Sequence, residues 1–414
     1  MMAPAGGIQA SQDVSRDQPT GTRPRRIFIT VAEVSGDKHA AQLIRSLKKL
    51  DPTIIIEGFG GPEMAAAGAV IHRNTVTKAA MGWRGVLRAF EMMDALKWVR
   101  NRFDTERPDL QIGVDSPSLN FHFARAAHDR GIPVMQYVAP QLWAWAPWRM
   151  KKLRKWVDRV ACILPFEEKY FQSHGVNATF VGHPLFDELP PNRGENRTPR
   201  FPETPPVIGL LPGSRKSEAV QNFPHLLDVA AQIRKQFPAA TFLVPTTAAT
   251  QPIVEAHVQQ TPGLVAEVGQ DAFDEMVPRC DLCITVSGTA TLHVAGFGVP
   301  MIVVYRSNWL QWNGAARWLV RTRTFALVNL LANSGVDAQA SHHLVREFVP
   351  WYGSNEPVAR EAIGMLKDPA KLEACRHKLR QLVGSLDRPG ASDQTARLAL
   401  EIMEARRALP NARR

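Results

Sequence analysis

Residues 25–50 read RRIFITVAEVSGDKHAAQLIRSLKKL and contain the unit on which the predicted fold depends. The first part of this stretch has an alternating residue pattern and is rich in β-branched side chains, and both features predict a strand. Ser35, Gly36 and Asp37 interrupt the pattern, and the apolar residues after them recur at the spacing of one helical face. The stretch therefore predicts a strand, a tight turn and a helix whose apolar face is formed by Ala40, Leu43, Ile44, Leu47 and Leu50.

The same strand pattern recurs along the chain. It appears at TIIIEGFGG, PDLQIGVD and IPVMQYVAP, and after residue 207 at VIGLLPGSR, TFLVPT and CDLCITV. Strands that alternate with helices indicate parallel, doubly wound sheets. The segment 189–207 is rich in proline and charge and separates the two series. We therefore predict an α/β protein with two Rossmann-like domains that face a cleft, where ligands bind beyond the carboxyl ends of the strands.

The length of 414 residues agrees with two domains, because a single core stops growing well below that size. We predict a disordered leader at 1–24, a first domain at 25–190 and a linker at 191–206. The second domain is predicted at 207–385, and a C-terminal helix at 386–414 that could return to the first domain.

Charge and cysteine content limit the classes of function. The chain has 50 Lys and Arg against 39 Asp and Glu, a net charge of +11 that suits phosphorylated substrates, an anionic membrane surface or nucleic acid. No nucleic-acid-binding signature accompanies this charge, so nucleic acid is not an expected partner. No apolar run approaches the ~20 residues of a membrane span, and a cytoplasmic protein is predicted. Cys280 and Cys283 lack further zinc ligands and are predicted to be buried.

Two acidic turns of the first domain are candidates for chemistry. Asp115 ends an apolar strand in GVDSPSLN, where partial desolvation would raise its pKa toward that of a useful general base. Glu33 precedes the turn that contains Ser35, Gly36 and Asp37. The alternative for Asp115, Ser35 and Asp37 is that each caps the helix that follows it.

Two turns of the second domain have the composition of phosphate sites. Gly213, Ser214 and Arg215 follow one strand and offer backbone amides, a hydroxyl and a guanidinium to phosphate oxygens. The residues Ser287–Thr289 follow another strand and open a helix whose first amides could meet a diphosphate. The Walker motif is absent, no D-x-D pair occurs, and GFGGP at 58–62 lacks the third glycine of a dinucleotide loop. A nucleotide without ATP hydrolysis is therefore predicted, and GFGGP is interpreted as a close-approach turn.

Three stretches combine tryptophan with basic residues: 79–103, 143–159 and 308–323. Helices of this kind most often pack one face on a sheet. Three together also suit a surface that faces anionic lipid. The candidate membrane or acyl-chain contacts are Trp83, Leu87, Phe90, Trp148, Lys152 and Lys155.

A series of motifs, taken in order, resembles one enzyme family. The motifs are VAEVSGD, GFGGPEMAAAG, DSPSLN, YVAPQLWAW, LPFEEKYF, FVGHPL, LLPGSRKSE, VSGTATL and FALVNLLA. Together they resemble lipid-A-disaccharide synthase, glycosyltransferase family 19, which has the GT-B architecture. The similarity runs from about Ile27 to past Leu331 and covers most of the chain.

The resemblance implies an inverting transfer of 2,3-diacylglucosamine from UDP to 2,3-diacylglucosamine 1-phosphate, without a metal or another cofactor. It implies a peripheral enzyme on the cytoplasmic, inner face of the inner membrane, and it leaves the oligomeric state open, a homodimer included. By position, Asp115 would be the base. The nucleotide site would contain Gly213, Ser214, Arg215, Ser287, Gly288, Thr289, His293 and Asn329. The acceptor side would contain Glu33, Ser35, Gly36, Asp37 and His183.

The chain departs from the family pattern at several positions. His293 and Gly85 each replace a Glu, Ser118 replaces an Asp, and Val328 replaces a Pro. Lys38 and His39 stand where smaller or apolar residues are usual. A neutral imidazole accepts one hydrogen bond and cannot clamp two ribose hydroxyls as a carboxylate can. Two alternatives to the family reaction therefore stay open. One is a GT-B enzyme for another UDP-sugar or lipid acceptor, and the other is a catalytically silent protein that binds UDP-sugar or membrane.

Overall fold

The computed structural model describes residues 23–76, 85–189, 201–261, 263–306, 324–333, 343–386 and 388–408. For residues 85–90 it describes the backbone only. The predicted leader and linker lie mostly outside these residues. None of the helices in the described ranges is long and apolar enough to cross a membrane.

The first domain is built on a parallel sheet of seven described strands with the order β3-β2-β1-β4-β5-β6-β7. The central strands are buried on both faces, as their continuous apolar sequences require. The strands are β1 (Arg26–Thr30), β2 (Ile55–Gly60), β3 (Val70–Asn74), β4 (Leu110–Val114), β5 (Val134–Tyr137), β6 (Arg159–Cys162) and β7 (Ala178–Phe180).

Helices connect these strands and cover both faces of the first sheet. They are α1 (Val34–Leu50), α2 (Pro62–Ala66), α3 (Gly85–Thr105), α4 (Pro117–His128), α5 (Met150–Trp156), α6 (Pro165–Ser173) and α7 (Leu185–Glu188). The predicted helical face of α1 is buried in the core. Of the five residues predicted for this face, Leu50 at the end of the helix is exposed and the other four are buried.

The second domain repeats the plan with six described parallel strands in the order β10-β9-β8-β11-β12-β13. The strands are β8 (Val207–Leu211), β9 (Thr241–Thr246), β10 (Ala266–Gln270), β11 (Leu282–Val286), β12 (Met301–Arg306) and β13 (Arg346–Trp351). The helices are α8 (Lys216–Gln236), α9 (Gln251–Gln259), α10 (Phe273–Met276), α11 (Thr289–Gly296), α12 (Leu327–Ala332), α13 (Glu356–Leu366) and α14 (Pro369–Leu386). Cys280 and Cys283 are fully buried and free, as predicted.

The last described helix, α15 (Ala391–Ala408), packs on α1 in the first domain rather than on the second. It places Ala396, Leu398, Ala399 and Met403 in the same apolar core as β1 and β4. The carboxylate of Asp187 accepts hydrogen bonds from the backbone N–H groups that open this helix, at 2.6–3.2 Å. The chain therefore crosses from α14 back to the first domain.

The order of the strands determines where a site can form. In each sheet the connections reverse direction at the first strand, between β1 and β4 and between β8 and β11. Ligands of doubly wound sheets bind at this reversal, beyond the carboxyl ends of the strands. The turns that contain Glu33, Asp115, Arg215 and Ser287 follow these four strands. The predicted pair of parallel, doubly wound sheets is confirmed.

Candidate active site

The turn after β4 holds Asp115 in a strained backbone conformation. Asp115 has φ 50° and Ser116 has φ 39°, both in the left-handed region that non-glycine residues rarely adopt. The carbonyl oxygen of Asp115 accepts hydrogen bonds from Asn120 Nδ2 at 2.6 Å and Gln136 Nε2 at 3.0 Å. The backbone N–H of Asp115 donates a hydrogen bond to the Tyr137 carbonyl at 3.0 Å. These bonds fix the turn and hold Asp115 in one position at the carboxyl end of β4.

A buried polar network supports this turn from below. Asn120 is fully buried, and its Oδ1 accepts a hydrogen bond of 2.7 Å from the Thr30 hydroxyl. Gln111 Nε2 donates to the same hydroxyl at 3.1 Å. A side chain at Gly113 would come within 2.9 Å of both Asn120 and Gln136, so the strand needs glycine there. Motifs did not predict this network, although Gln111 and Gln136 are visible in the sequence as polar residues inside apolar strands.

The surroundings of Asp115 set its basicity. Burial raises the pKa of Asp115 above its ordinary value, the backbone N–H of Ser116 lowers it, the Glu33 carboxylate raises it and the Arg215 guanidinium lowers it. The net direction is upward, which is the direction a general base needs to hold a proton near neutral pH. Groups from both domains contribute, because Arg215 belongs to the second domain.

Arg215 bridges the two domains. Its Nη2 donates to Glu33 Oε2 at 2.8 Å, and its Nη1 donates to Glu218 Oε1 at 2.9 Å. Gly213 has φ 105°, and a side chain there would lie 2.4 Å from the Glu218 carboxylate. The glycine therefore gives Glu218 the room to fold back on the turn, and the Gly213–Arg215 turn presents its guanidinium toward the first domain.

The turn after β11 opens toward free space. Gly288 has φ 145° and is exposed, and no atom of the described residues lies within 4 Å of the position a side chain would take there. Thr289 is exposed at the start of α11, and the Ser287 hydroxyl donates to the Phe325 carbonyl at 3.0 Å. The first amides of a helix lack partners within the helix. An anionic group could therefore approach the first amides of α11 at this turn.

Asn329, which the resemblance assigns to the nucleotide site, is held by hydrogen bonds within the second domain. It is fully buried, its Nδ2 donates to the Val345 carbonyl at 2.8 Å and to Glu347 Oε1 at 2.6 Å, and its Oδ1 accepts from the Val345 N–H at 2.9 Å. Glu347 in turn accepts from the N–H of Phe325. Asn329 thus fixes the segment that receives the Ser287 hydroxyl, and its carboxamide faces protein.

His293 is also engaged by the protein itself. Its ring stacks with Phe273 at 4.4 Å and with Phe297 at 5.5 Å between centroids. Its Nε2 lies 2.8 Å from Asp274 Oδ1, and this contact lowers the pKa of Asp274. The structure therefore places the His293 imidazole between two aromatic rings and beside an acid of α10.

Asp37 has a structural partner that the sequence analysis did not identify. It lies inside α1 rather than before it, so it does not cap that helix. Its buried carboxylate accepts hydrogen bonds from the N–H groups of Gly61, Glu63 and Met64 at 2.8–3.3 Å. A side chain at Gly61 would lie 2.3 Å from this carboxylate. The GFGGP turn is thus a close-approach turn, as predicted, and the group that approaches it is Asp37, which caps α2.

We expect Asp37→Ala to lower the free energy of unfolding by about 1–3 kcal/mol, because it leaves three amide donors without their acceptor. Urea unfolding followed by circular dichroism measures the change. Ser35→Ala is the matched control, since Ser35 is exposed in the same helical turn. An equal loss of stability in both variants would contradict the assigned role of Asp37.

The remaining acceptor-side predictions differ in exposure. Ser35 is exposed, and Gly36 lies against the Asp115 turn, where an added Cβ would be 3.9 Å from Asp115 Cβ. His183 is 5% exposed, and its Nδ1 accepts from the Leu185 N–H at 3.2 Å. Burial lowers the pKa of His183 to about 3, with smaller contributions from His39 and His293, so its imidazole is uncharged. Of these three residues, Gly36 contacts the Asp115 turn, Ser35 is exposed and His183 is buried.

A basic and aromatic surface adjoins α4, the helix that begins after Asp115. Trp148 is 59% exposed, and the Arg149 guanidinium lies 4.8 Å from the ring of Trp145 and donates to the Ser118 hydroxyl at 3.3 Å. Burial lowers the pKa of His122, and nearby cations lower it further, which reflects positive potential. The exposed cations of α5 are Lys151, Lys152, Arg154 and Lys155. Trp83 and the stretch 308–323 lie outside the described residues, as do the side chains of Leu87 and Phe90.

The chain is similar to proteins of one family along most of its length. The family profile described as lipid-A-disaccharide synthetase matches residues 27–383. The lipid-A-disaccharide synthase of Geobacter sulfurreducens is 34% identical over 388 residues, which cover 93% of this chain and 99% of that protein. That of Nitrosococcus oceani is 34% identical over 383 residues, which cover 91% of this chain and 96% of that protein.

Solved structures with a similar fold have much lower sequence identity. The glycosyltransferase of kitacinnamycin superposes with a TM-score of 0.58 at 16% identity and covers 92% of this chain and 100% of its own. The calicheamicin glycosyltransferase CalG4 gives 0.57 at 15%, covering 94% and 100%. MurG of Acinetobacter baumannii gives 0.53 at 14%, covering 91% and 100%. The predicted GT-B architecture is confirmed.

Proposed function

Since the chain belongs to the lipid-A-disaccharide synthetase family and is a glycosyltransferase, we propose the reaction in detail. The protein transfers 2,3-diacylglucosamine from UDP to the 6-hydroxyl of 2,3-diacylglucosamine 1-phosphate. The products are the β-1,6-linked disaccharide phosphate and UDP. The observation that carries the proposal is the convergence of Asp115 with Arg215 across the two domains, because one group can accept a proton and the other can hold phosphate.

The transfer step assigns a role to each of these residues. The Asp115 carboxylate accepts the proton of the acceptor hydroxyl as that oxygen attacks C1 of the donor sugar. The bond between C1 and the diphosphate oxygen breaks, the configuration at C1 inverts, and the negative charge develops on the departing UDP. The Arg215 guanidinium and the amides of the Gly213–Arg215 and Ser287–Thr289 turns offset that charge.

We propose that this protein contacts the ribose of the donor differently from the family pattern, because His293 replaces the glutamate of that pattern. His293 is held by Asp274 at 2.8 Å and by two aromatic rings. In this proposal the diphosphate turns carry donor binding, and His293 and Asn329 support the walls of the site rather than contact the nucleotide.

The acceptor is proposed to enter from the inner face of the cytoplasmic membrane. The exposed Trp148 and the cations of α5 would lie on an anionic lipid surface beside α4. The Asp115 turn begins that helix, so an acceptor whose acyl chains stay in the membrane could reach the base with its sugar.

Mass spectrometry of a reaction with both substrates tests the function. Purified protein, UDP-2,3-diacylglucosamine and 2,3-diacylglucosamine 1-phosphate should yield disaccharide phosphate and UDP. Omitting either substrate should abolish both products. UDP binding measured by calorimetry without any disaccharide would instead support another donor or acceptor, or a catalytically silent protein.

We expect the double change Lys152→Gln and Lys155→Gln to weaken binding to vesicles with 30% anionic lipid by about tenfold or more, since each basic residue near such a surface contributes about 1 kcal/mol. Co-sedimentation at low and high salt measures this. Lys235→Gln with Lys378→Gln, two exposed lysines of the second domain, is the matched control. If binding of the native protein to vesicles depends neither on lipid charge nor on salt, this surface is not the interface.

A further inference from the structure

The contact between Glu33 and Arg215 joins the two domains at the site of the proposed reaction. Glu33 precedes α1 in the first domain, and Arg215 precedes α8 in the second. Their side chains meet at 2.8 Å although they are 182 residues apart in sequence. The same guanidinium also holds Glu218 at 2.9 Å.

The two carboxylates that contact Arg215 together carry more negative charge than its guanidinium carries positive charge, and both would repel a diphosphate. Release of one carboxylate would therefore favour binding of a nucleotide at Arg215. Glu218 is 15% exposed, belongs to the same helical turn as Arg215 and is packed under Gly213. Glu33 is 40% exposed and is contributed by the other domain. Glu33 is thus the carboxylate that can be exchanged.

We propose that the donor diphosphate replaces Glu33 on Arg215, and that the released Glu33 carboxylate, still beside Asp115, makes that base stronger. This inference rests on the proposed function and describes how the donor regulates the same site. Glu33 acts through Asp115 and is a positioning residue. Donor binding would then be the event that prepares Asp115 to accept the proton of the second substrate.

The geometry around Asp115 supports this exchange. Gly36, in the first turn of α1, packs against the Asp115 turn, and Glu33 directly precedes the same helix, so the backbone of Glu33 is anchored near that turn. Glu33 raises the pKa of Asp115 and Arg215 lowers it. A diphosphate on Arg215 cancels the lowering influence and leaves the raising one. Glu218 from α8 and Tyr305 from β12 are the other titratable groups that interact with Arg215.

Glu33→Gln separates this role from a structural one. We expect UDP to bind about two- to fivefold more tightly, because an exposed ion pair of modest strength no longer competes with it. We expect kcat to fall by about threefold and the acidic limb of its pH profile to move about half a pH unit lower, because Asp115 loses a neighbouring negative charge. Glu33→Asp keeps the charge and should restore the pH profile. Glu63 is an exposed glutamate of α2, and Glu63→Gln should change neither the UDP affinity nor kcat and its pH profile.

Calorimetry gives a second readout that does not require catalysis. UDP binding measured in buffers of different ionisation enthalpy should take up more protons in the native protein than in Asp115→Asn, and Glu33→Gln should show a smaller difference. Weaker UDP binding in Glu33→Gln, or proton uptake equal to that of the native protein, would overturn the inference. If the native protein makes no disaccharide, the proposed function fails, and the UDP affinity and proton uptake still decide whether the exchange occurs.

Discussion

Replacing Asp115 with asparagine is expected to lower kcat by about 10²- to 10⁴-fold, the usual contribution of a general base. Asparagine has nearly the same shape, and the bonds that hold this turn go to the backbone carbonyl of residue 115, which the change keeps. The fold and UDP binding should therefore be retained. Single-turnover kinetics with both substrates, together with calorimetry of UDP, measures the separation of catalysis from binding.

Asp129→Asn is the matched control, because Asp129 is an exposed acid at the opposite end of α4. It should leave kcat unchanged. The native enzyme should lose activity as the pH falls through the raised pKa of Asp115, because only the carboxylate accepts a proton. Activity of Asp115→Asn within a few fold of the native rate would remove Asp115 from the mechanism.

Replacing Gly58 with alanine is expected to have the largest effect on stability, a loss of more than about 4 kcal/mol or failure to fold. Gly58 lies in β2 opposite Ile29 of β1. An added Cβ would lie 1.8 Å from the Ile29 carbonyl oxygen, and a backbone atom at the centre of a sheet cannot move aside. Thermal and urea unfolding of the purified variant, or its partition into inclusion bodies, measures the effect.

Gly384→Ala is the control for this substitution. Gly384 is exposed in α14, and within the part of the chain that the structure describes no atom lies within 4 Å of its added Cβ. Alanine is a better helix former than glycine, so this variant should be as stable as the native protein or up to about 1 kcal/mol more stable. A Gly58→Ala protein with native stability would mean that β1 and β2 are farther apart than the structure has them.

Local patterns were sufficient to predict the fold. Strands buried on both faces read as apolar runs, and polar or glycine-containing turns separate them from the helices, so β1, β4, β8 and β11 are visible in the sequence. Once these strands are ordered, their turns meet at the reversal points of the sheets. That is why Glu33, Asp115 and Arg215 could be selected as candidates before their contact was known.

Roles that depend on a distant partner could not be predicted in this way. Asp37 accepts its bonds from a turn 24 residues later in the chain, and nothing in the sequence SGD distinguishes that role from capping α1. Asn329 is tied to β13, and His293 to Asp274, by contacts that only the folded chain creates. A motif reports which residue types occupy a turn, whereas their orientation depends on packing between elements.

The return of α15 to the first domain has a consequence for synthesis of the protein. The core around β1 and β4 needs Ala396, Leu398, Ala399 and Met403, which the ribosome adds more than 200 residues after β7 is complete. At about 5–20 residues per second, the first domain waits roughly 10–40 s with the α1 surface uncovered. During that interval the nascent chain exposes an apolar surface that chaperones can bind, and α15 must be synthesised before the first domain can complete its fold.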